Sequence, residues 1–311
     1  MHVLITGVAG FIGSNLADFL LSRGHDVVGL DNLAYGVREQ IPKGVELHLT
    51  DIRSKDIHKL FSGAEAVFHL AAKNCISDCQ ANPVETSEIN VSGTVNVFEA
   101  ARCAGVRKVI YAESSAMYEG SRSFPTTESD SRPQSFYAVS KASTAQFADA
   151  YRRYFRLNTT ALRYFNVYGP RQDYRRTIPP VISAFIIAML QGKRPVIHGD
   201  GSKKRDFVFI DDINEFHLLT IQDNCTDGQT YNLGFGKNYS VLDIYHELES
   251  ILDTGLEPIF KDDLPAEAQD NLADISKARE LGWEPKTELK QGLLKSIEYI
   301  QKIVIPVLIE A

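Results

Sequence analysis

The 311-residue chain has few cysteines and no long apolar run. Its four cysteines are too few for a disulfide scaffold and match no common zinc spacing; they are Cys75, Cys79, Cys103 and Cys225. The longest apolar stretch, residues 181–190, is far shorter than the ~20 residues that a membrane-spanning helix needs. We therefore expect reduced thiols, no metal site, no membrane segment and a cytoplasmic location.

Positive charge is outnumbered by negative charge, 33 Lys and Arg against 40 Asp and Glu, which gives a formal net charge of -7 and an isoelectric point near 5.7. An acidic chain is repelled by phosphate backbones, so nucleic acid is not an expected partner. The first residues are strand-like, and we expect no targeting peptide. The apolar tail, residues 303–309, contains Pro306, which argues against a helix there. We expect this tail to pack on the body of the protein or on a partner subunit.

Strand-like and helix-like segments alternate through the first half. The predicted strands cover 2–6, 26–30, 45–49, 66–70, 108–112 and 159–163, and the predicted helices 11–23, 83–104 and 136–155. This alternation predicts an α/β fold with a doubly wound parallel sheet, the Rossmann arrangement. More proline and glycine follow, which predicts a smaller C-terminal α/β substrate domain. The expected limits are 1–165 with a return segment near 206–234, and 166–205 with 235–311.

Gly7, Gly10 and Gly13 lie between the first predicted strand and the first predicted helix. Glycine accepts a positive φ and lets a pyrophosphate approach the backbone closely. The free N–H groups at the start of the helix then bind the phosphate. The loop, including Phe11 and Ile12, is therefore our candidate dinucleotide site.

Two acidic residues follow the next two predicted strands. Asp31 stands where a carboxylate hydrogen-bonds the ribose hydroxyls of a dinucleotide, which favours NAD over NADP. Asp51, with Ile52, is a candidate for contact with the adenine. The alternatives are an ordinary turn with a solvated Asp31, and a helix cap at Asp51.

Tyr137 and Lys141 are four residues apart on a predicted helix, so they share one face. A lysine cation beside a phenol lowers the tyrosine pKa, and such a tyrosine can act as a base near neutral pH. Ser114 follows the fifth strand, at the edge where active sites of doubly wound sheets lie. Its hydroxyl would relay a proton to Tyr137. Two exposed helix residues and a simple serine turn are the alternatives.

Further motifs occur in the order typical of a known family. They are His69-Leu70-Ala71-Ala72, Ser114-Ser115, the stretch from Arg163 to Arg171, and Arg205-Asp206-Phe207. With the glycine loop, Asp31 and the Tyr137–Lys141 pair, they make almost the whole chain resemble the NAD-dependent epimerase/dehydratase family. This family belongs to the extended short-chain dehydrogenases/reductases, and the resemblance is strongest to UDP-glucose 4-epimerases. It implies bound NAD and a nucleotide-diphosphate hexose, epimerised at C4 through a transient 4-keto sugar.

The resemblance also implies residue roles. Tyr137 removes the proton of the sugar 4-hydroxyl, Ser114 bridges the two, and Lys141 holds the nicotinamide ribose. Besides the glycine loop, Asp31 and Asp51-Ile52, the implied cofactor contacts are Asn32, Leu70, Ala71, Ala72, Asn90, Tyr137, Lys141 and Tyr164. The implied substrate contacts are Ser114, Ser115, Asn166, His198, Arg205 and Asn271. Among these, Asn166 holds the nucleotide diphosphate and Arg205 a phosphate.

Some residues near the catalytic hydroxyl differ from those of relatives. Family dehydratases carry acids directly after it, whereas this chain has Ser115 and Ala116, which favours epimerisation without dehydration. Strand alternation also predicts that Glu113 points away from Ser114. Where relatives have Val-Tyr-Gly, this chain has Met117-Tyr118-Glu119-Gly120.

The nucleotide end differs as well. Many relatives grip the diphosphate with an arginine that is missing from residues 262–270, so Arg171 or Arg175 is a candidate replacement. His198 stands where relatives often place an aromatic ring on the base. Asn271 is smaller than the tyrosine of glucose-restricted relatives, so an N-acetyl group would fit beside the hexose.

Two other functions stay open at this point. One is a dehydratase or reductase of the same family, and the other is a non-catalytic NAD-binding scaffold. The helices near 84–104 and 137–155 carry apolar residues on more than one face, and the family commonly pairs such helices between subunits. We expect a homodimer.

Overall fold

The computed structural model describes residues 1–176, 178–263 and 268–310. In chain order the strands are β1 (His2–Thr6), β2 (Asp26–Asp31), β3 (Glu46–Leu49), β4 (Ala66–His69), β5 (Lys108–Ser114), β6 (Thr159–Tyr164), β7 (Asn166–Tyr168), β8 (Val196–His198), β9 (Lys204–Phe209), β10 (Thr230–Leu233), β11 (Asn238–Ser240) and β12 (Ile259–Lys261). The α-helices are α1 (Phe11–Ser22), α2 (Ile76–Ala81), α3 (Pro83–Ser87), α4 (Thr94–Ala104), α5 (Phe136–Phe155), α6 (Val181–Leu190), α7 (Ile210–Gln222), α8 (Val241–Leu252), α9 (Ser276–Arg279), α10 (Leu289–Tyr299) and α11 (Ile305–Glu310). Short 3-10 turns cover Arg38–Gln40, Lys55–Phe61, Ser115–Tyr118 and Asn224–Thr226.

The chain divides into two compact units. The first comprises Met1–Arg122, Glu128–Tyr164 and Asn214–Asn232, and the second Ser123–Thr127, Phe165–Ile213 and Leu233–Ala311. The domain limits expected from the sequence stay a prediction.

Seven parallel strands form the sheet of the first unit, in the order β10-β6-β5-β4-β1-β2-β3. The doubly wound α/β fold that the sequence predicted is thereby confirmed. β1 pairs with β2 on one side and with β4 on the other, so Thr6 lies between Leu30 and His69. The strand order reverses at this point, and ligands of such sheets bind beyond the carboxyl ends of the strands there. Leu4 and Val67 of the sheet pack with Phe98 of α4.

The long helix predicted over 83–104 is interrupted. A π turn, Glu88–Gly93, joins α3 to α4. At its end Thr94 Oγ1 donates to the carbonyl oxygen of Asn90 at 2.6 Å, one turn back along the helix.

The second unit contains two small sheets, β11-β9-β7 and β12-β8. β9 runs parallel to β7 and antiparallel to β11. The Tyr168 ring packs edge-on against Phe209 with 5.4 Å between the ring centroids, and its hydroxyl donates to the carbonyl oxygen of Leu289 on α10 at 3.3 Å. These mixed sheets agree with the smaller C-terminal α/β domain expected from the sequence.

The apolar tail is helical, so the inference drawn from Pro306 was wrong. α10 continues through a π turn, Ile300–Val304, into α11. Pro306 is the second residue of α11 and follows directly on the π turn, where the regular i→i−4 hydrogen bonding of the helix is already interrupted. Within the described ranges, no helix is both long and apolar enough to cross a membrane.

Candidate active site

Close backbone approaches shape the glycine loop between β1 and α1. Gly7 has a φ of 77°, and an added Cβ would lie 2.7 Å from the backbone nitrogen of Ala71. At Gly13 an added Cβ would lie 2.1 Å from the carbonyl oxygen of Gly7. The loop itself therefore requires these two glycines. Gly10 is different, because its added Cβ would meet only the Gly7 oxygen, at 3.2 Å.

The start of α1 fits a phosphate group. Gly10 is the N-cap residue, and Ser14 N donates to its carbonyl oxygen at 2.9 Å. The N–H groups of Phe11, Ile12 and Gly13 precede that bond, so they have no acceptor within the helix and lie at its positive end. The first turn contains no acidic residue that would repel an anion. This arrangement, at the reversal point of the sheet, fits the pyrophosphate of a dinucleotide.

Asp31, at the end of β2, is bonded to the same loop. Its carboxylate accepts hydrogen bonds from Ala9 N at 2.9 Å and from Leu33 N at 2.8 Å. Burial raises the pKa of Asp31 above its ordinary value, and these backbone donors oppose the rise. A solvated turn is therefore excluded. The remaining lone pairs of this fixed carboxylate are the acceptors that ribose hydroxyls need.

Asp51 is part of a charged cluster after β3. Arg53 donates to it twice, from Nε at 2.9 Å and from Nη2 at 2.8 Å, and Asn32 Nδ2 donates at 3.0 Å. The guanidinium lowers the pKa of Asp51 to about 2. The cap of the following turn is Ser54 rather than Asp51, which removes the helix-cap alternative. Ile52 is 6% exposed, so its side chain belongs to the core.

A buried histidine fixes the segment after β4. His69 Nδ1 lies 2.7 Å from Thr6 Oγ1, and its Nε2 lies 2.8 Å from Thr94 Oγ1. Burial lowers the pKa of His69 to about 3, so the ring is neutral at physiological pH. Thr6 Oγ1 also accepts Ala71 N at 3.3 Å, which holds Leu70, Ala71 and Ala72 beside the glycine loop. The sequence motif contained His69, but its anchoring role was not predicted.

Asn90 lies against the same segment. Its Oδ1 accepts Lys73 N at 2.8 Å, and its Nδ2 donates to Lys73 O at 2.9 Å and to Ser140 Oγ at 3.0 Å. Both amide protons are therefore used inside the protein, where they tie the segment after β4 to α5. A direct contact of Asn90 with the cofactor stays a prediction.

The predicted catalytic residues lie on β5 and α5, which contact each other. β5 continues two residues beyond its predicted end and finishes at Ser114, whose Oγ accepts Ala116 N at 3.2 Å. Tyr137 and Lys141 are only 9% and 6% exposed. Lys141 Nζ donates to the carbonyl oxygen of Ala112 on β5 at 3.0 Å. The pair is thus turned towards the sheet, which excludes the alternative that Tyr137 and Lys141 are two exposed helix residues.

Burial lowers the pKa of Lys141 to about 8, and the charge of Glu113 opposes this fall. Glu113 itself forms a fully buried ion pair, with its Oε2 2.8 Å from Arg163 Nε. Arg163 also donates to the Tyr118 hydroxyl at 2.7 Å. The carboxylate next to Ser114 is therefore committed to the core, consistent with the predicted strand alternation.

Two neighbours of Ser114 complete this edge of the sheet. Tyr164 lies opposite Ser114 at the end of β6, and its hydroxyl is 2.6 Å from Nε2 of the buried His217. Burial raises the pKa of Tyr164. Ser115 begins the turn Ser115–Tyr118. Cofactor contact by Tyr164 and substrate contact by Ser115 stay predictions.

Asn166 and Asn271 come together in the second unit. Asn166 Nδ2 lies 3.4 Å from Asn271 Oδ1 and 3.1 Å from the carbonyl oxygen of Asp206. The Asp206 carboxylate accepts three backbone N–H groups at 2.6–3.1 Å, from Phe235, Gly236 and Ala273. Burial raises the pKa of Asp206 to about 6. Asp206 therefore ties β9 to the backbone beside Asn271; the sequence motif contained this residue, but its anchoring role was not predicted.

The other predicted substrate contacts of this unit lie on β8 and β9. Arg205 donates from Nη1 to Lys204 O at 2.9 Å, and His198 Nδ1 lies 3.1 Å from Asp262 O. Residues 264–267, part of the segment that lacks the family arginine, lie outside the described residues. Asp263, just before them, pairs with the buried ammonium of Lys203. The position of a replacement for that arginine stays a prediction.

The four cysteines are free: Cys75 and Cys79 are buried, and Cys103 and Cys225 are exposed. Among residues 1–176, 178–263 and 268–310, no group of three or more His, Cys, Asp or Glu side chains could hold a metal ion.

Comparison with known proteins gives four consistent similarities. A model of the NAD dependent epimerase/dehydratase family matches residues 3–234. The UDP-glucose 4-epimerase of Mycolicibacterium smegmatis is 35% identical over 311 residues, which cover 97% of this chain and 99% of that protein. The crystal structure of UDP-glucose 4-epimerase from Thermotoga maritima with UDP-glucose is 33% identical, with a TM-score of 0.94 and coverage of 98% and 100%. The UDP-N-acetylglucosamine 4-epimerase of Methanobrevibacter ruminantium, in complex with UDP-N-acetylmuramic acid, is 30% identical, with a TM-score of 0.93 and coverage of 97% and 98%.

Proposed function

Because the chain belongs to the NAD-dependent epimerase/dehydratase family and is an NAD-dependent nucleotide-sugar 4-epimerase, we propose that its substrates are UDP-hexoses. The proposed pairs are UDP-glucose with UDP-galactose, and the corresponding N-acetyl forms. Similarity to a UDP-glucose and to a UDP-N-acetylglucosamine 4-epimerase supports this substrate class. When bound, NAD supplies the acceptor and donor of hydride at the sugar C4.

Three side chains of the first unit carry the proposed proton transfer. Tyr137 takes the proton of the sugar 4-hydroxyl, and the Ser114 hydroxyl bridges that oxygen and the phenol. Lys141, held beside β5 by its bond to the Ala112 carbonyl, favours the phenolate by its charge. Tyr137 returns a proton to the 4-oxygen after the keto sugar has presented its other face.

The carboxylates near Ser114 support epimerisation rather than dehydration, because both are bonded to other parts of the protein. A dehydratase needs an acid beside the catalytic hydroxyl, and the two residues that follow Ser114 are not acidic. Glu113 is paired with a buried arginine, and Glu119 accepts hydrogen bonds from the start of α5. Neither carboxylate is free to protonate a leaving hydroxyl of the sugar.

The test is to incubate purified protein, after its NAD content is measured, with UDP-glucose, UDP-galactose and the two N-acetyl forms, and to separate the products. We expect interconversion at C4 without net release of reduced cofactor. If all four sugars stay unchanged, the proposed substrates are wrong. A stable 4-keto product would instead indicate a dehydratase, and stoichiometric NADH a reductase.

Tyr137→Phe removes the proposed base, so we expect turnover to fall by a factor on the order of 10²–10⁴. Tyr154→Phe is the matched control, because it removes a hydroxyl from the same helix at a position that is 82% exposed. Full turnover by Tyr137→Phe would contradict the catalytic assignment and support an NAD-binding scaffold.

We propose that Asn166, Arg205, His198 and Asn271 of the second unit hold the nucleotide end and limit the sugar pocket. The bond between Asn166 and Asn271 supports a shared role. If Asn271 leaves room for an N-acetyl group, Asn271→Tyr should lower kcat/KM for the N-acetyl sugars at least about tenfold more than for the unsubstituted sugars. An equal loss for both would contradict this role.

We also propose a homodimer formed through α5. Phe136, Val139, Phe147 and Tyr154 are 41–82% exposed, and their spacing places them on one face of a helix with about 3.6 residues per turn. Four large apolar or aromatic side chains in a row on one solvent-facing helix fit a second copy of the chain. The neighbouring Val84 of α3 is 68% exposed as well.

Sedimentation at micromolar concentration should give the mass of a dimer, and Phe147→Glu should shift it to a monomer. Leu49→Glu is the control, at a position outside this face that is 56% exposed against 41% for Phe147, and it should remain dimeric. A monomeric wild-type protein would refute the dimer.

A further inference from the structure

Glu119 lies in the segment where this chain departs from the family pattern Val-Tyr-Gly. Its side chain is bonded to the protein as well as partly exposed to solvent. Oε2 accepts Ser135 N at 2.8 Å and Gln134 N at 3.2 Å, and Oε1 accepts the Ser135 hydroxyl at 2.8 Å. One carboxylate therefore receives three hydrogen bonds from two consecutive residues.

Ser135 is the N-cap residue of α5. Its Oγ accepts Ala138 N at 3.1 Å while its proton is donated to Glu119. The cap is thus held from both sides, by the helix and by the carboxylate. Tyr137 is only two residues further along, so the orientation of the first turn fixes where its phenol lies.

The segment that carries Glu119 is equally fixed to the sheet. It starts at Ser114, and Tyr118 donates its hydroxyl proton to Asn232 Oδ1 at 2.5 Å and accepts Arg163 Nη1 at 2.7 Å. Backbone bonds continue the link, from Arg132 N to the Met117 carbonyl oxygen at 2.7 Å. The residues after Ser114 are therefore anchored in the core on one side and bonded to the start of α5 on the other.

We propose that Glu119 is a positioning residue, which sets the placement of the Tyr137 phenol relative to the Ser114 hydroxyl by clamping the N-cap of α5 to the segment after β5. The proposal rests on the proposed function, since the reacting pair is Tyr137 and Ser114. The carboxylate does not touch the sugar or the cofactor. It acts through Ser135.

Two substitutions separate geometry from charge. Glu119→Ala removes both acceptor oxygens and with them all three hydrogen bonds, so the first turn of α5 loses its clamp. In Glu119→Gln the amide oxygen still accepts Ser135 N, and the amide nitrogen can donate to Ser135 Oγ, so the clamp persists without its charge. Rescue by glutamine is therefore the signature of positioning.

We expect Glu119→Ala to lower kcat for the UDP-hexose about 10- to 100-fold, because a displacement near 1 Å has this effect on aligned reacting groups. KM and the NAD content should stay within about threefold of wild type, since binding in the ground state is untouched. Glu119→Gln should keep kcat within about threefold of wild type. Hydrogen exchange of peptides covering 135–141 should quicken in Glu119→Ala alone.

Glu99→Gln is the matched control. Glu99 is similarly half-buried and also binds α5, through the Tyr151 hydroxyl at 3.2 Å, but near its other end. Glu99→Gln should lower thermal stability without lowering kcat. Melting curves of every variant confirm that folded protein is compared.

Full kcat in Glu119→Ala, or an equal loss in Glu119→Gln and Glu119→Ala, would overturn the proposal. If wild-type protein epimerises no UDP-hexose, the proposed function fails, and the exchange data alone decide whether Glu119 holds the start of α5. Unchanged exchange at 135–141 in Glu119→Ala would then overturn the proposal independently of activity.

Discussion

The glycine loop allows a prediction that separates what the fold requires from what the cofactor requires. Gly13 packs so tightly that an added Cβ would be 2.1 Å from the carbonyl oxygen of Gly7, well inside contact distance. Gly10 has extended φ and ψ angles of -79° and 172°, which alanine also adopts, and its added Cβ is 3.2 Å from the same oxygen. An alanine methyl at Gly10 therefore needs only a small shift of the loop.

We expect Gly13→Ala to lower the free energy of unfolding of the NAD-free protein by about 3 kcal/mol or more, because backbone atoms must move. Gly10→Ala should cost at most about 1 kcal/mol. Its methyl group instead occupies space where a pyrophosphate would approach the start of α1, so we expect the Kd for NAD to rise about 100-fold, or 2.7 kcal/mol.

The assay is urea unfolding of NAD-stripped protein with and without added NAD. At 100 times the wild-type Kd, NAD should stabilise the wild type by about 2.7 kcal/mol, but Gly10→Ala by only about 0.4 kcal/mol. Equal stabilisation of both proteins would refute the placement of the pyrophosphate at this loop. A loss of NAD-free stability in Gly10→Ala as large as that in Gly13→Ala would refute the packing argument.

Three further predictions concern buried charges. Glu113→Gln leaves the guanidinium of Arg163 uncompensated in the core, so urea unfolding should show a loss of about 3–5 kcal/mol, mostly recovered in Glu113→Gln/Arg163→Met. The pKa of Asp206 is raised to about 6 from 3.8, so its contribution to stability is present below pH 3.8 and lost as pH rises through 6. As pH rises from 3.8 to 6, the free energy of unfolding of the wild type should fall by about 3 kcal/mol relative to that of Asp206→Asn. The same dependence of unfolding free energy on pH in both proteins would contradict this. The pKa of Lys141 is lowered to about 8 from 10.5, so the unfolded state binds more protons between these values and wild-type stability should rise there by about 3 kcal/mol relative to Lys141→Met.

The parts of this protein that the sequence predicted are encoded locally. The glycine loop needs a strand, a turn and a helix that are contiguous in the chain, and Tyr137 and Lys141 need only helical spacing. The end of β5 was placed two residues early, at 112 rather than at Ser114, because a polar strand end resembles the start of a loop. The sequence pattern does not show that β6 pairs with β5 as far as Ser114, where it lies opposite Tyr164.

The parts that were not predicted depend on distant residues. His69 binds Thr6 and Thr94, which are 63 and 25 residues away, and no local pattern relates them. The π turn after α3 likewise contains Asn90, which forms hydrogen bonds with Lys73 and Ser140. In both cases a side chain that looks ordinary in the sequence acquires its role only when the sheet has brought its partners together.

The same distinction explains why the chemistry of this enzyme is more predictable than its substrate. The proposed proton transfer uses residues of two adjoining elements, and their placement follows once β5 and α5 have formed. The proposed nucleotide site uses Asn166 and Asn271, which are 105 residues apart in the chain and are brought together where the Asp206 carboxylate holds the backbone at Ala273. Substitutions that shift this backbone would change which sugar or base fits without altering the catalytic motif. Specificity can therefore diverge among relatives that share the Tyr137–Lys141 pair.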